Sequence, residues 1–194
     1  MIRNMLPKPP TSLEYALLGL LHQQPRSGYD LRKVMATTAL GTYSTSPGAI
    51  YPALRRLEEG GLIRGEIDDS TPMRPRKVFA PSDAGSAIFR DWLRAAISAD
   101  DVARRLDELM LKFAFHWVLD DAQASRAFLL DLAREIGLYV RELKSQLLLL
   151  APETPIQSRL ALEAGMEQCR AAARWARNAL EHFEDSSGGG TPAR

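Results

Sequence analysis

The sequence predicts a mainly α-helical protein with one small β-hairpin: an N-terminal winged helix-turn-helix followed by a C-terminal helical dimerisation domain. Three observations carry that prediction. Three short stretches with apolar residues at helical spacing lie between Thr11 and Gly60, each bounded by a cap, a proline or a glycine. Two β-patterned segments separated by a polar, proline-containing turn follow Gly60-Gly61. From Ser82 onward helical spacing continues almost to the C-terminus.

The first helix starts near Thr11. Thr11 and Glu14 have capping-box spacing, in which each side chain reaches the other's backbone N–H. Leu13, Ala16, Leu17, Leu20 and Leu21 then share a face, and Pro25 ends the run. A second helix opens at Ser27 with Asp30 as its capping partner, buries Leu31, Val34 and Met35, and ends near Gly41. A third begins at Ser46-Pro47, since proline in the first turn forfeits no hydrogen bond. Its inner face is Ile50, Leu54 and Leu57, and Gly60-Gly61 stops it. Pro52 lies deeper in this helix than first-turn proline allows, so a distorted or delayed start is expected.

Leu62 to Ile67 and Arg76 to Ala80 read as the two strands of a hairpin, with Asp68 to Pro75 as its turn. Ser82 caps a helix carrying Ile88, Phe89 and Trp92. Asp100 or Asp101 starts another, with Val102, Leu106, Leu109, Phe113 and Trp117 along one face. A long helix runs from Asp120 or Asp121 to about Leu150, carrying Leu129, Leu132, Ile136, Tyr139 and Leu143. Pro152 and Pro155 interrupt the chain, and a last helix carries Leu162, Met166, Cys169, Ala173, Ala176, Leu180 and Phe183. Both long helices alternate apolar residues by threes and fours, the pattern of a seam. The expected organisation is a flexible segment at 1–10, a winged-helix domain with a linking helix at 11–97, a helical dimerisation domain at 98–185, and a disordered Gly/Ser tail at 186–194.

Composition narrows the function. The chain has 194 residues, 45% hydrophobic and 25% charged, with a net charge of only +1, so a nucleic-acid role must rest on where the charges sit. The single cysteine, Cys169, excludes a disulfide framework or a multi-cysteine zinc site within the chain and reads as a small buried residue. Met1 to Pro10 lacks the apolar core of a secretory signal, and no run approaches the roughly 20 apolar residues of a membrane span. A cytoplasmic protein without membrane association is expected. There is no phosphate loop, HExxH or GxSxG, and the histidines His22, His116 and His182 have no ligand or triad spacing. No enzyme, cofactor or metal is expected.

The chemistry concentrates on the third helix. With Ile50, Leu54 and Leu57 turned inward, Gly48, Tyr51, Pro52, Arg55 and Arg56 face outward. Small residues first, then tyrosine and paired arginines, suit a major groove: the first allow close approach, the others donate to phosphates or base edges. The alternative is an ordinary solvated helix face. The hairpin adds Arg64, Arg74, Arg76 and Lys77, suited to phosphate or minor-groove contact. Asp68 and Asp69 oppose this unless they point away from DNA.

These residues resemble a known family. Ser27-Gly28-Tyr29-Asp30-Leu31, the run Ser46 to Glu58 (SPGAIYPALRRLE) and Gly60-Gly61-Leu62-Ile63 look like the PadR family of bacterial regulators. Phe79, Pro81, Ser82 and Gly85 stand where the family shows an aromatic, an apolar residue, threonine and glycine. The match is strong over about residues 12–85. Beyond it, Glu108 to Phe113 (ELMLKF) resembles the larger subgroup with a helical C-terminal domain. The resemblance implies a dimeric repressor in which Tyr29, Ser46, Gly48, Tyr51, Arg55 and the wing cations face double-stranded DNA and the C-terminal helices pair two subunits. It also implies release by small, often aromatic, effectors. Trp92, Phe113, His116, Trp117 and Tyr139 are the candidate effector residues, with core packing as the simpler reading. The two seams are expected to exchange across a two-fold axis, unless one subunit's own bundle consumes both. An activator on the same fold, or a winged-helix protein–protein module, are the rival functions.

Overall fold

Local capping chemistry builds the N-terminal elements largely where the sequence puts them. The computed structural model describes residues 9–68 and 76–184. Contacts divide the chain into two compact units, Met1–Leu93 and Arg94–Arg194.

In the first unit, helix α1 (Ser12–Gln23) opens on a complete Thr11–Glu14 capping box. It is the central element, buried from Glu14 through Leu21. Helix α2 (Gly28–Thr37) is capped by Ser27, whose hydroxyl accepts from the Asp30 N–H at 3.2 Å and donates to the Asp30 carboxylate at 2.6 Å. It ends at Thr37, earlier than Gly41, which instead lies in a 3-10 turn over Ala39–Thr42. Helix α3 (Pro47–Glu59) is capped by Ser46 and buries Ile50, Ala53, Leu54 and Leu57. It runs through Pro52 as one helix, so the expected distortion or later start is absent at the level of helix bounds.

Gly60-Gly61 ends α3 in a Schellman arrangement. The Leu62 N–H reaches the Leu57 carbonyl at 2.8 Å and the Gly61 N–H reaches Glu58 at 2.9 Å. Gly61 takes φ +69°, the left-handed region that a side chain would strain.

Strands β2 (Ile63–Asp68) and β3 (Arg76–Pro81) form the hairpin, with Gly65 opposite Phe79 and Ile67 opposite Lys77. The sheet has a third member that the sequence did not reveal. Strand β1 (Arg26–Ser27) pairs with β3, giving the antiparallel order β1-β3-β2. Ser82 then turns the chain: its hydroxyl donates to the Gly61 carbonyl at 2.6 Å and accepts from the Gly85 N–H at 3.0 Å, starting α4 (Asp83–Arg94). A Cβ on Gly85 would overlap the Leu62 carbonyl, so only glycine lets α4 pass the start of β2. Tyr15 of α1 stacks on Trp92 of α4 at 4.1 Å and 9°, and Phe89 lies between Trp92 and His22.

The second unit is helical: α5 (Ala99–Arg104), α6 (Leu106–Ala114), a 3-10 turn at His116–Leu119, α7 (Ala122–Leu148) and α8 (Ile156–Glu184). The single helix expected from Asp100 through Trp117 is broken at Arg105, where the backbone leaves the helical region (φ −138°, ψ 34°), and again at Phe115. Ser98 and Asp101 form a second capping box, and Asp121 caps α7 by accepting the Ala124 N–H at 3.0 Å. The seam residues Leu129, Leu132 and Ile136 of α7 pack with Cys169, Ala173 and Ala176 of α8 and with Val102, Leu109 and Phe128. Within one chain the two seams pack against each other, the arrangement the sequence offered as the alternative to exchange with a partner. Among the described residues, no helix is long and apolar enough to cross a membrane.

Candidate nucleic-acid interface

Because Ile50, Leu54 and Leu57 are buried, helical geometry forces Tyr51 and Arg55 outward. Tyr51 is 48% exposed and the Arg55 side chain 72% exposed. Arg55 lies 3.9 Å from Glu59 one turn on, a solvent-exposed pair that holds it weakly. At the helix start Ser46, Pro47 and Gly48 are exposed, the Ser46 hydroxyl accepts from the Gly48 N–H at 3.2 Å, and the first turn carries no acidic residue. That end of the helix is electropositive and sterically open. Pro52 has no N–H, so the Gly48 carbonyl lacks its usual partner one turn on.

Tyr29, at the start of α2, is 61% exposed. Together with Ser27, Gly28, Tyr51, Phe79, Arg76 and Lys77 it lines a groove of 810 Å³ between α2, α3 and β3. Gly28 keeps this groove open. A Cβ there would sit 2.6 Å from Tyr51 Cε1 and 3.3 Å from a Leu54 methyl. The groove has an aromatic wall and a cationic rim, a surface able to take a sugar–phosphate strand.

Other expected contacts lie elsewhere. Arg56 does not simply face outward: its Nε donates to Glu14 Oε1 at 2.7 Å, across 42 residues of sequence. Glu14 is buried and also accepts from the Thr11 backbone and hydroxyl, so Arg56 ties α3 to α1. Lys77 is similarly engaged by Glu58 at 2.7 Å. Arg64 lies on the other face of the hairpin, where it lines a separate cleft with Pro25, Glu66, Asp68, Val78 and Ala80. The structure thus gathers Tyr29, Tyr51, Arg76 and Lys77 at one groove, with Ser46, Gly48 and Arg55 on the same helix as Tyr51, and leaves Arg64 out. Asp68 lines that cleft with Arg64 and stands opposite Arg76 in the strand register. Arg74 and Asp69 lie outside the described residues. Sequence reasoning missed Gly28 as a spacer and Glu14 as an anchor; a buried carboxylate inside an apolar helix face is the signal for the latter.

The effector candidates divide between the two units. Trp92 belongs to the first, stacked on Tyr15. In the second, Phe113 meets His116 at 6.1 Å, Phe128 at 6.0 Å and Trp175 at 5.3 Å. His116 is buried, 3.4 Å from the Ser125 hydroxyl and 4.6 Å from the Phe128 ring. Tyr139 packs at the edge of the same core, whereas Trp117 is half exposed. Phe128, Trp175 and Phe183 complete the aromatic cluster and were not anticipated as members.

The family model described as the transcriptional regulator PadR-like family matches residues 17–91. The similarity to the PadR-like family covers most of the N-terminal unit. Its matched stretch includes α2, α3 and the hairpin, the elements that form the groove. Among curated proteins, the negative transcriptional regulator PadR of Bacillus subtilis is 30% identical over 116 residues, 60% of this chain and 63% of the relative. The match therefore spans less than two thirds of that relative's length. Among solved structures, B. subtilis PadR in complex with operator DNA is 24% identical, covering 90% of this chain and 100% of that one at a TM-score of 0.43. The same protein in complex with p-coumaric acid gives 24% identity, 90% and 99% coverage and a TM-score of 0.41.

Proposed function

We propose that this PadR-like chain is a sequence-specific DNA-binding repressor that acts as a homodimer. The observation that carries the reading is the exposed Tyr51–Arg55 face of a helix whose leucines are buried, beside a groove rimmed by Arg76 and Lys77. Tyr51 and Arg55 are the base-reading candidates, the α3 N-terminus and Arg76 the phosphate contacts. A relative of the matched unit is named a negative regulator, and its structure with operator DNA supports the same ligand here.

Dimerisation is supported by the large apolar side chains that α7, α8 and their connection leave exposed: Leu130, Leu138, Leu148, Leu149, Ile156, Leu160 and Trp175. In such a dimer two copies of α3 enter successive major grooves about 34–36 Å apart. Release by a small aromatic compound extends the reading to the Phe113–His116–Phe128 cluster of the second unit. The B. subtilis relative's complex with p-coumaric acid is the analogy for that extension.

Footprinting on the DNA immediately upstream of the protein's own gene tests the central proposal. A protected, two-fold-related pair of half-sites is expected, with affinity falling steeply as salt rises. Failure to retain any duplex at low salt would leave a protein–protein module as the better account. Light scattering showing a monomer at micromolar concentration would remove the homodimer, and unchanged binding across a panel of aromatic acids would remove the effector.

A further inference from the structure

We propose that Glu58 and Lys77 form a strut that fixes the hairpin against α3, so that Lys77 governs DNA binding by position and not by touching DNA. The inference rests on the DNA-binding reading above but concerns a different act: holding the groove at its working width.

Lys77 Nζ lies 2.7 Å from one Glu58 carboxylate oxygen and 2.8 Å from the other. The ammonium also sits 5.3 Å from the centroid of the Phe79 ring. It is thus held from two sides, by a carboxylate on α3 and by an aromatic face on its own strand. Gly65, opposite Phe79 in the register, makes room for this arrangement. A Cβ there would lie 2.7 Å from Glu58 Oε1 and 3.1 Å from the Phe79 ring, and would overlap the Lys77 stem. Four residues from α3, β2 and β3 therefore converge on one contact at the groove's rim.

Charge argues the same way. A lysine presented to phosphate needs its ammonium turned outward, whereas this one is neutralised by a carboxylate of the recognition helix itself. Glu58 beside a DNA-binding surface is unfavourable by simple electrostatics, because it repels phosphate. A positioning role gives that carboxylate a use. The two side chains are only 33% and 46% exposed, so solvent screens the pair less than a fully exposed one.

The test compares Lys77→Met, Glu58→Gln, the exchanged pair Glu58→Lys/Lys77→Glu, and Gly65→Ala in the full chain, on the duplex found by footprinting. The strut predicts that Lys77→Met and Glu58→Gln each weaken binding several-fold while the slope of log affinity against log salt stays at the wild-type value. It also predicts that the exchanged pair recovers most of the loss. A phosphate-contacting Lys77 predicts the opposite: Lys77→Met reduces the slope by about one, and Glu58→Gln, which removes a repelling charge, tightens binding. That pattern would overturn the inference. Hydrogen exchange of β2 and β3 amides without DNA separates this outcome from failure of the DNA reading. About two- to fivefold faster exchange in either single variant, largely restored in the exchanged pair, is expected. Unchanged exchange in both would overturn the strut whatever the protein binds.

Discussion

Gly28→Ala separates folding from DNA binding more cleanly than other single changes in the groove. The added methyl would sit 2.6 Å from Tyr51 Cε1 and 3.3 Å from Tyr51 Cδ1, against ordinary carbon–carbon contacts of about 3.5–4.0 Å. The tyrosine ring must therefore move by about 1 Å. It has somewhere to go, because Tyr51 is 48% exposed and borders the open groove. An off-rotamer side chain costs about 0.5–1.5 kcal/mol. Replacing glycine by alanine in the first turn of a helix returns part of that, up to about 0.5–1 kcal/mol. The two effects oppose one another, so net stability changes by less than about 1 kcal/mol. DNA binding does not share the compensation. The displaced ring fills the groove and leaves its place on α3, so a base or phosphate contact worth about 1–3 kcal/mol is lost. Urea denaturation gives the first quantity and duplex titration at fixed salt the second. Wild-type duplex affinity in Gly28→Ala would refute the assigned groove. A stability loss above about 2 kcal/mol would refute the claim that Tyr51 yields.

Three further outcomes follow from the same geometry. Glu14→Gln weakens the charged bonds from Arg56 and from Thr11, for a loss of about 1–2 kcal/mol after allowing for the half-exposed Arg56, read by chemical denaturation; no loss would mean that α3 is not anchored through this pair. His22 lies against Phe89 with Nδ1 2.8 Å from the Leu18 carbonyl. Burial pushes its pKa below 6.5, the Leu18 bond opposes this, and Arg90 reinforces the lowering. The folded state therefore prefers neutral imidazole, and the unfolded state binds more protons as pH falls below 6.5. His22 contributes stability that is present above that pH and lost below it; denaturation at pH 7.5 and 5.5 should show a drop that shrinks in His22→Gln, and an equal drop in both would refute the assignment. Cys169 is buried in the helical core and burial raises its thiol pKa. Its reaction with a thiol reagent should be slow in the folded protein and fast in denaturant, and rapid labelling of the native protein would contradict the packing.

What could be read from the sequence was the part governed by local rules. Thr11–Glu14, Ser27–Asp30, Ser46-Pro47, Gly60-Gly61 and Asp121 each satisfy or terminate their own backbone, and each marks an element end in the structure. What escaped was long-range. Strand β1 has two residues, too few for any period, and exists only because β3 pairs with it. The break at Arg105 interrupts a run whose apolar spacing continues across it. The outward face of α3 was legible because three buried aliphatics fix it. The fates of Arg56 and Lys77 were not, because their partners, Glu14 and Glu58, are found only by folding. Nor was the sharing of the two seams within one chain, since a seam pattern does not name its partner.

The most direct test replaces Tyr51 with a photo-activatable benzophenone amino acid and irradiates the full-length protein on the footprinted duplex. Cross-links from position 51 to bases within the protected half-site are the predicted result. Cross-linking to the duplex from position 138 on α7, with none from position 51, would contradict the account.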